Sequence, residues 1–282
     1  MKVPGRHKGI VLILMVFLIC GMVFPASVLG REKPDTLAGY ISQLYQTVLD
    51  RSPGNGEVAY WNGMLSQGLT GAEMLRQFYE SNEFLARNTD DAVYLEALYE
   101  GVLCRQPDAA GAVTWKQCLQ DGLSRRFLLA GITSSDEFAR LCGKYGIEAG
   151  SISLTENRDR NPVVTAFVSR LYRICLKRTP DSPGLNGWTG RLNAGTLDGA
   201  VLVQGFLESP EMNAAALPEQ DYIEACYQSF LGRGSDPAGL ANWQAVLSRG
   251  STRRYAAAQC AASSEFQALC EAAEIRSGEI VL

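Results

Sequence analysis

The sequence has a single histidine, His7, and it lies within the first thirty residues. These residues have the layout of a secretory signal peptide, because a basic start precedes an apolar run over residues 9–24 and small residues precede a cleavage site after Gly30. We therefore expect a mature chain, residues 31–282, that contains no imidazole. This absence excludes Ser–His and Cys–His nucleophilic catalysis and every metal site that needs a histidine ligand.

The apolar run of residues 9–24 has a second interpretation. It is only slightly shorter than a membrane-spanning helix, so it could stay attached as an uncleaved anchor. Cleavage is the favoured interpretation, and residues 1–30 are assigned to a signal peptide. In both cases we expect the rest of the chain to be secreted or periplasmic, with contact to a membrane only through an uncleaved N-terminal segment.

Basic residues are scarce in the mature chain. Removal of residues 1–30 takes three of the 26 basic residues and none of the 30 acidic ones, so the net charge becomes −7. A mildly acidic chain without a basic tract predicts that nucleic acid is not a partner.

The cysteine spacings match no metal-binding pattern. Seven cysteines remain in the mature chain: Cys104, Cys118, Cys142, Cys175, Cys226, Cys260 and Cys270. An exported chain can oxidise its thiols, and the odd number leaves at least one unpaired. We expect a Cys118–Cys142 disulfide and another that involves Cys270, and we expect no metal and no cofactor.

Sustained apolar–polar alternation is also absent, so the chain has no strand pattern. What recurs is a set of four tryptophans, Trp61, Trp115, Trp188 and Trp243. A tyrosine stands sixteen residues before each of them, an arginine ten before, a leucine four after and a glycine seven after. Each copy closes with a Ser-x-Glu motif. So many fixed offsets in four copies identify an internal repeat.

Each repeat predicts helical hairpins. Before the arginine, apolar pairs recur every four residues and form one helix face. A turn such as QPDAAG then stops this helix, and the tryptophan lies on a short second helix that ends at the fixed glycine. Thr70, Ser124 and Thr252 are predicted to cap a third helix, and the serine of each Ser-x-Glu a fourth. The expected fold is therefore all-α, with four tandem helical-hairpin repeats.

The repeats fall into two pairs. Neighbouring tryptophans are 54, 73 and 55 residues apart, and the extra length lies in a polar segment, the predicted linker 148–162. We expect two similar two-repeat lobes, residues 31–147 and residues 163–282. The four repeats span residues 38–88, 92–142, 165–215 and 220–270.

The pattern Tyr…Leu-x-Arg-x-Pro-Asp-x-x-Gly…Trp-x-x-x-Leu-x-x-Gly…Ser-x-Glu-Phe resembles the bacterial family called domain of unknown function 4214. It is also more distantly similar to the phycobilisome linker domain. The segments LYEGVLCRQPDAAGAVTWKQCLQDG and QSFLGRGSDPAGLANWQAVLSRG carry the resemblance best. It implies all-helical modules of exported bacterial proteins, with no assigned catalytic residues. The first copy departs from the pattern at Gly56, which is shifted by one position, and the third has Met212 in place of Phe.

The recurring polar and aromatic residues favour a structural interpretation. The tryptophans could stack on a sugar ring or a partner helix, but an aromatic at the same place in four hairpins is typical of packing. Each arginine and the glutamate of its Ser-x-Glu could clamp an anion, but an ion pair within the repeat is favoured. The predicted pairs are Arg51–Glu83, Arg105–Glu137, Arg178–Glu211 and Arg233–Glu265. The turn aspartates are too few for a calcium loop and are predicted helix N-caps.

The paired arginines Arg125/Arg126 and Arg253/Arg254 are the candidate ligand-binding residues. They occur once per lobe, follow a predicted N-cap and are absent from the first and third copies. They could recognise an acidic polymer or partner, and a solvated helix face is the alternative.

The sequence favours a non-catalytic exported module that binds a polysaccharide or a protein, or has a structural role, at the cell envelope or outside the cell. No catalytic residue is assigned. The rival hypothesis is a carboxylate-based glycan hydrolase, which needs two opposed carboxylates about 5–10 Å apart. Isolated acids such as Glu57, Asp121 and Glu208 make no recognisable motif for it.

Overall fold

The computed structural model describes residues 33–282, so the predicted signal peptide lies outside the described residues. From residue 33 onward the regular secondary structure is helical, without a strand, which confirms the predicted all-α fold. The described chain divides into two compact units between Thr155 and Glu156, which we call the first lobe and the second lobe.

Each repeat contributes four helices. The first lobe contains α1 (Leu37–Val48), α2 (Glu57–Ser66), α3 (Gly71–Tyr79), α4 (Asn82–Ala86), α5 (Asp91–Leu103), α6 (Ala109–Gln120), α7 (Arg125–Thr133) and α8 (Asp136–Tyr145). The second lobe contains α9 (Pro162–Cys175), α10 (Ser182–Asn193), α11 (Gly199–Leu207), α12 (Pro210–Ala214), α13 (Glu219–Cys226), α14 (Pro237–Ser248), α15 (Arg253–Ala261) and α16 (Ser264–Ala272). A 3₁₀ turn at Asn157–Asp159 precedes α9, and a π-helical turn at Tyr227–Leu231 continues α13.

Side-chain caps fix where many of these helices begin. The hydroxyls of Thr70, Ser124 and Thr252 accept the N–H three residues later and start α3, α7 and α15, as predicted. The serine of each Ser-x-Glu motif does the same for the fourth helix of its repeat: Ser81, Ser135, Ser209 and Ser263. Such a cap satisfies a backbone donor that the helix itself leaves without a partner.

The core of the first lobe forms where α1 packs on α5. Ile41, Leu44 and Leu98 are completely buried there. The two helices approach closely enough for Tyr40 Oη to donate to the carbonyl oxygen of Val102 at 3.2 Å. Removal of these apolar side chains from water is the main stabilising contribution to the lobe.

The second lobe is built in the same way from α9 and the π-helical turn. Arg170 Nη2 donates to the carbonyl oxygen of Ser229 at 3.1 Å, and Cys175 Sγ lies 3.6 Å from Ser229 Oγ. Both lobes therefore join their two repeats through the first helix of each.

A short tail after the last helix of each lobe completes the first repeat of that lobe. The N–H groups of Gly71 and Ala72 donate to the carbonyl oxygens of Glu148 and Ala149, both at 2.8 Å. A Cβ on Gly150 (φ +68°) would lie 2.2 Å from the Thr70 hydroxyl, so only glycine fits this contact. The start of the predicted linker 148–162 thus packs on the first lobe, because the N-terminus of α3 needs carbonyl acceptors.

The second lobe repeats this arrangement at its own tail. The N–H groups of Gly199 and Ala200 donate to the carbonyl oxygens of Arg276 and Ser277 at 2.9 and 2.7 Å. None of the helices among residues 33–282 combines the length and the apolar character needed to span a bilayer.

Candidate functional site

One side-chain cluster recurs in every hairpin, and we call it the hairpin cluster: the repeated tyrosine, arginine and tryptophan with the carboxylates around them. The residue before each arginine has a left-handed backbone, with φ of 56°, 55°, 52° and 68° in the four repeats. This turn brings the arginine back over the tyrosine ring six residues earlier. The distances from guanidinium carbon to ring centroid are 4.7 Å (Arg51, Tyr45), 5.0 Å (Arg105, Tyr99), 5.0 Å (Arg178, Tyr172) and 5.3 Å (Arg233, Tyr227).

The second repeat shows the arginine–glutamate contact most completely. Arg105 Nε lies 3.1 Å from both carboxylate oxygens of Glu137, and Arg105 Nη2 lies 3.0 Å from one of them. Burial disfavours the ionised form of Glu137, but the hydrogen bonds and charge of Arg105 outweigh burial and lower the pKa of this carboxyl. The predicted contact is also present in the first repeat, at 2.5 Å between Arg51 and Glu83, and in the fourth, at 2.7 Å between Arg233 and Glu265.

The predicted Arg178–Glu211 pair of the third repeat is not formed. Arg178 lies instead 3.8 Å from Asp181, and Glu211 is exposed. The sequence contains the physical reason, because 33 residues separate this arginine from its glutamate, whereas 32 separate them in the other copies. The extra residue lengthens the loop around Thr196, before α11, so the third copy does not match the spacing of the others.

The turn aspartates are helix N-caps, as predicted. Asp108, Asp181 and Asp236 accept the N–H of the glycine three residues later at 2.9, 2.7 and 2.9 Å. A Cβ on Gly111 would lie 2.5 Å from Tyr99 Oη. In the Asp-x-x-Gly turn the aspartate therefore caps the second helix, and the glycine lets this helix pack closely against the tyrosine.

The first repeat exchanges these two positions. Gly54 stands where the other copies have the aspartate, and Glu57 stands where they have the glycine. The Glu57 carboxylate accepts the N–H of Gly54 at 2.5 Å and binds Arg51 at 2.7 and 2.9 Å. Its hydrogen bonds with Arg51 lower the pKa of Glu57 to about 2. The shifted Gly56 of this copy precedes a helix that has no side-chain cap, and Glu57 binds the turn and Arg51 instead.

The tryptophans extend the hairpin cluster into the core of the first lobe. Two of them donate to the tyrosine of their own repeat: Trp61 Nε1 to Tyr45 Oη at 3.0 Å and Trp115 Nε1 to Tyr99 Oη at 3.1 Å. Both indole rings are buried, whereas Trp188 and Trp243 of the second lobe are half-buried. These contacts favour packing as the role of the tryptophans.

The first arginine of the pair in the first lobe is held by contacts within that lobe. Arg125 lies over the ring of Tyr94 at 4.7 Å and forms an ion pair with Asp91 at 2.9 Å. Its Nη2 also donates to the carbonyl oxygen of Thr89 at 2.6 Å. The second arginine, Arg126, lies 3.4 Å from Glu80, the C-cap residue of α3. Arg126 therefore connects the two repeats of the first lobe, while Arg125 holds the start of the second repeat.

The corresponding pair in the second lobe borders a cavity of about 290 Å³. The lining includes both arginines: Leu207, Glu208, Met212, Asn213, Leu217, Tyr222, Thr252, Arg253 and Arg254. Arg253 lies over the Tyr222 ring at 4.9 Å, and Arg254 Nη1 lies 3.8 Å from Glu208 Oε1. Ligand binding by any of the four paired arginines stays a prediction.

Sequence reasoning singled out Arg253 and Arg254 of the cavity but missed its apolar residues, although one signal for them was visible. Met212 replaces the phenylalanine of the family pattern, and Leu207 stands where the first lobe has Tyr79. A comparison of the two lobes position by position, rather than of the four repeats, would have shown both changes. Among residues 33–282 no group of three or more His, Cys, Asp or Glu side chains is arranged to hold a metal ion.

The expected disulfides are not formed. All seven cysteines of residues 33–282 are free and buried: Cys104, Cys118, Cys142, Cys175, Cys226, Cys260 and Cys270. Cys142 and Cys270 fill space beside glycines, since a Cβ on Gly71 would lie 3.0 Å from Cys142 Sγ and one on Gly199 3.3 Å from Cys270 Sγ. Both thiols are therefore used in packing rather than in cross-links.

Burial also makes the thiols poor nucleophiles. It raises the pKa of Cys104 and Cys118 to about 11 and that of Cys142 to about 12. A thiol with a raised pKa contains little of the reactive thiolate at neutral pH. The neighbouring Arg105 therefore does not activate Cys104.

These features define a class, namely tandem helical-repeat proteins whose recurring polar residues hold each hairpin together. The chain belongs to the family described as Domain of unknown function (DUF4214), which matches it four times in tandem, over residues 32–88, 85–142, 149–217 and 213–270. These matches confirm the family resemblance and the four copies, while the similarity to the phycobilisome linker domain stays a prediction. No curated protein matches the chain.

Proposed function

We propose that the chain is a non-catalytic, exported module that binds a polysaccharide or a protein, or acts as a structural element, at the cell envelope or outside the cell. The observation that supports this proposal most is the use of the recurring polar groups. In the hairpin clusters the aspartates cap helices, and three of the four Ser-x-Glu carboxylates neutralise an arginine. These aspartates and glutamates therefore have structural roles, which supports a non-catalytic module.

The acids noted individually in the sequence also have structural partners. Glu57 remains ionised at neutral pH, since its hydrogen bonds with Arg51 hold its pKa at about 2, and a general acid must be protonated to act. Asp121 accepts from Gln117 at 3.1 Å, and Glu208 accepts from Gln204 at 3.1 Å. These contacts favour a binding role over glycan hydrolysis.

The paired arginines are the candidate ligand-binding residues of this proposal. Arg253 and Arg254 are favoured over Arg125 and Arg126, because they border the cavity of the second lobe. Export is supported by the signal-peptide layout of residues 1–30.

Co-sedimentation of residues 31–282 with washed envelope polysaccharide tests the proposal, with assays of both pellet and supernatant. We expect protein in the pellet and no released sugar. The variant Arg253→Gln/Arg254→Gln should stay in solution, whereas the matched variant Arg125→Gln/Arg126→Gln should still sediment. If the unaltered chain stays in solution, cross-linking to envelope proteins tests the protein-binding form of the proposal. Sugar fragments in the supernatant would overturn the non-catalytic assignment.

A further inference from the structure

The two lobes differ at a cluster of three side chains. In the first lobe Tyr79, Phe84 and Tyr94 pack together, with ring centroids 5.2, 5.9 and 6.0 Å apart. In the second lobe the corresponding positions hold Leu207, Met212 and Tyr222, so two aromatic rings are replaced by smaller or more flexible side chains.

These three side chains line the cavity of about 290 Å³. This volume is close to the lower end of the roughly 300–1,000 Å³ found for small-molecule pockets. The walls are mixed, with apolar side chains at Leu207, Met212 and Leu217 and charged ones at Glu208, Arg253 and Arg254. A pocket of this kind suits a small ligand that has an apolar body and a polar group.

The charge at the cavity also differs from that in the first lobe. Arg125 has a carboxylate partner, Asp91, at 2.9 Å. Arg253 donates to the carbonyl oxygen of Leu217 and stacks on Tyr222, but it forms no ion pair within the described part of the chain. Its positive charge is therefore directed at the cavity without a carboxylate that neutralises it.

Arg254 is more exposed than its counterpart, although its Nε donates to the carbonyl oxygen of Val281 at 3.0 Å. It lies 3.8 Å from Glu208 and is 47% exposed, whereas Arg126 lies 3.4 Å from Glu80 and is 24% exposed. Two arginines and one glutamate give the cavity lining an excess of positive charge. An anion can replace water on these guanidinium groups without displacing a close ion pair.

We propose that the cavity of the second lobe binds a small organic carboxylate with an apolar body. The carboxylate binds Arg253 and Arg254 at the entry, and the apolar body lies against Leu207, Met212 and Tyr222. This inference shares the two arginines with the proposed function, but it requires no polymer and no second protein. It can therefore stand or fall separately from the co-sedimentation result.

Calorimetric titration of residues 31–282 with phenylacetate and with hexanoate tests the inference. We expect one site per chain, an affinity that falls as the salt concentration rises, and no binding of the neutral analogue phenylacetamide. The variant Arg253→Gln should bind roughly tenfold more weakly or worse, because a charge-assisted hydrogen bond is lost. The matched variant Arg249→Gln, at an exposed arginine of the same lobe that does not line the cavity, should bind as the unaltered chain does.

The sharpest variant fills the cavity. Leu207→Tyr/Met212→Phe introduces the two residues that the first lobe carries beside Tyr94, and it should abolish binding while the thermal unfolding temperature is kept or raised. Unchanged affinity in this folded double variant would overturn the proposal. So would the absence of binding of both acids by the unaltered chain up to about 10 mM. If the double variant does not fold, unchanged affinity in both Arg253→Gln and Arg254→Gln overturns it.

Discussion

Arg105 and Glu137 stand 32 residues apart in the sequence, yet Arg105 Nη2 lies 3.0 Å from Glu137 Oε2 and Arg105 Nε lies 3.1 Å from both carboxylate oxygens. The contact joins the end of the first helix of a repeat to the start of its last helix. It therefore holds the first and the last helix of the repeat together, and the third repeat, which lacks it, offers an internal comparison.

Removal of this contact should destabilise the first lobe. Both side chains are largely buried, at 16% and 18% exposure, so Arg105→Ala leaves the Glu137 carboxylate with an incomplete set of partners. We expect the free energy of unfolding to fall by about 1–3 kcal/mol, measured by urea denaturation. The matched variant Arg178→Ala should cost less than about 1 kcal/mol, since no Glu211 contact is lost. Equal costs for the two variants would contradict a stabilising role for the pair.

A methyl group at Gly111 should disrupt the hairpin turn. The added Cβ would lie 2.5 Å from Tyr99 Oη, too close for any side chain, so we expect Gly111→Ala to cost about 1–3 kcal/mol. Gly63 lies within α2 and has no atom within 4 Å of the corresponding position, so Gly63→Ala should stabilise by about 0.5–1 kcal/mol. Thermal unfolding of both variants measures the difference. Stabilisation by both would show that the tyrosine does not restrict this turn.

The hairpin cluster of the first repeat should make stability depend on pH. The pKa of Glu57 in the folded chain is about 2, below its ordinary value of 4.5, so the ionised carboxylate stabilises the fold above about pH 4.5. This contribution is lost as the pH falls from about 5 towards 2. Glu57→Gln should therefore destabilise the chain at pH 7 and have a diminishing effect over that range, as measured by urea denaturation at each pH. An effect of constant size between pH 7 and 2 would contradict this linkage.

The cysteines should be unreactive in the folded chain. Ellman's reagent at pH 8 should modify few or none of the seven thiols of residues 31–282, because all are buried and burial raises the pKa of thiols such as Cys142, to about 12. In denaturant without a reductant, all seven should react. A count of five or fewer in denaturant would show that a disulfide forms in the protein, against the structure.

Local signals in the sequence were enough for the helices and for most of the hairpin cluster. The serine caps could be predicted because a cap needs only its own helix, and the arginine–glutamate pairs could be predicted because three of the four copies repeat the same spacing. The exception was visible too, as the one-residue difference between Arg178 and Glu211 in the third copy. A fixed spacing indicates a contact only where the loop between the partners keeps its length.

The cavity, the tails and the free cysteines could not be predicted, because they depend on packing between residues that are far apart in the sequence. The cavity results from side chains of several helices, among them Leu207, Met212 and Tyr222, and its size depends on how they fill space together. The tails act through backbone carbonyls, such as those of Glu148 and Arg276, whose role is not visible in residue type. The disulfides were expected because the chain is predicted to be exported. In the structure, close packing on Gly71 and Gly199 explains the positions of Cys142 and Cys270.

The two tails have a consequence for how such proteins can lengthen. Each tail follows the second repeat of a lobe and supplies the acceptors that α3 or α11 of the first repeat lacks. A single repeat would leave these backbone N–H groups without acceptors. A third repeat inserted within a lobe would separate the tail from the helix N-terminus that it binds. We therefore expect gene duplication of this scaffold to favour additions of two copies at a time.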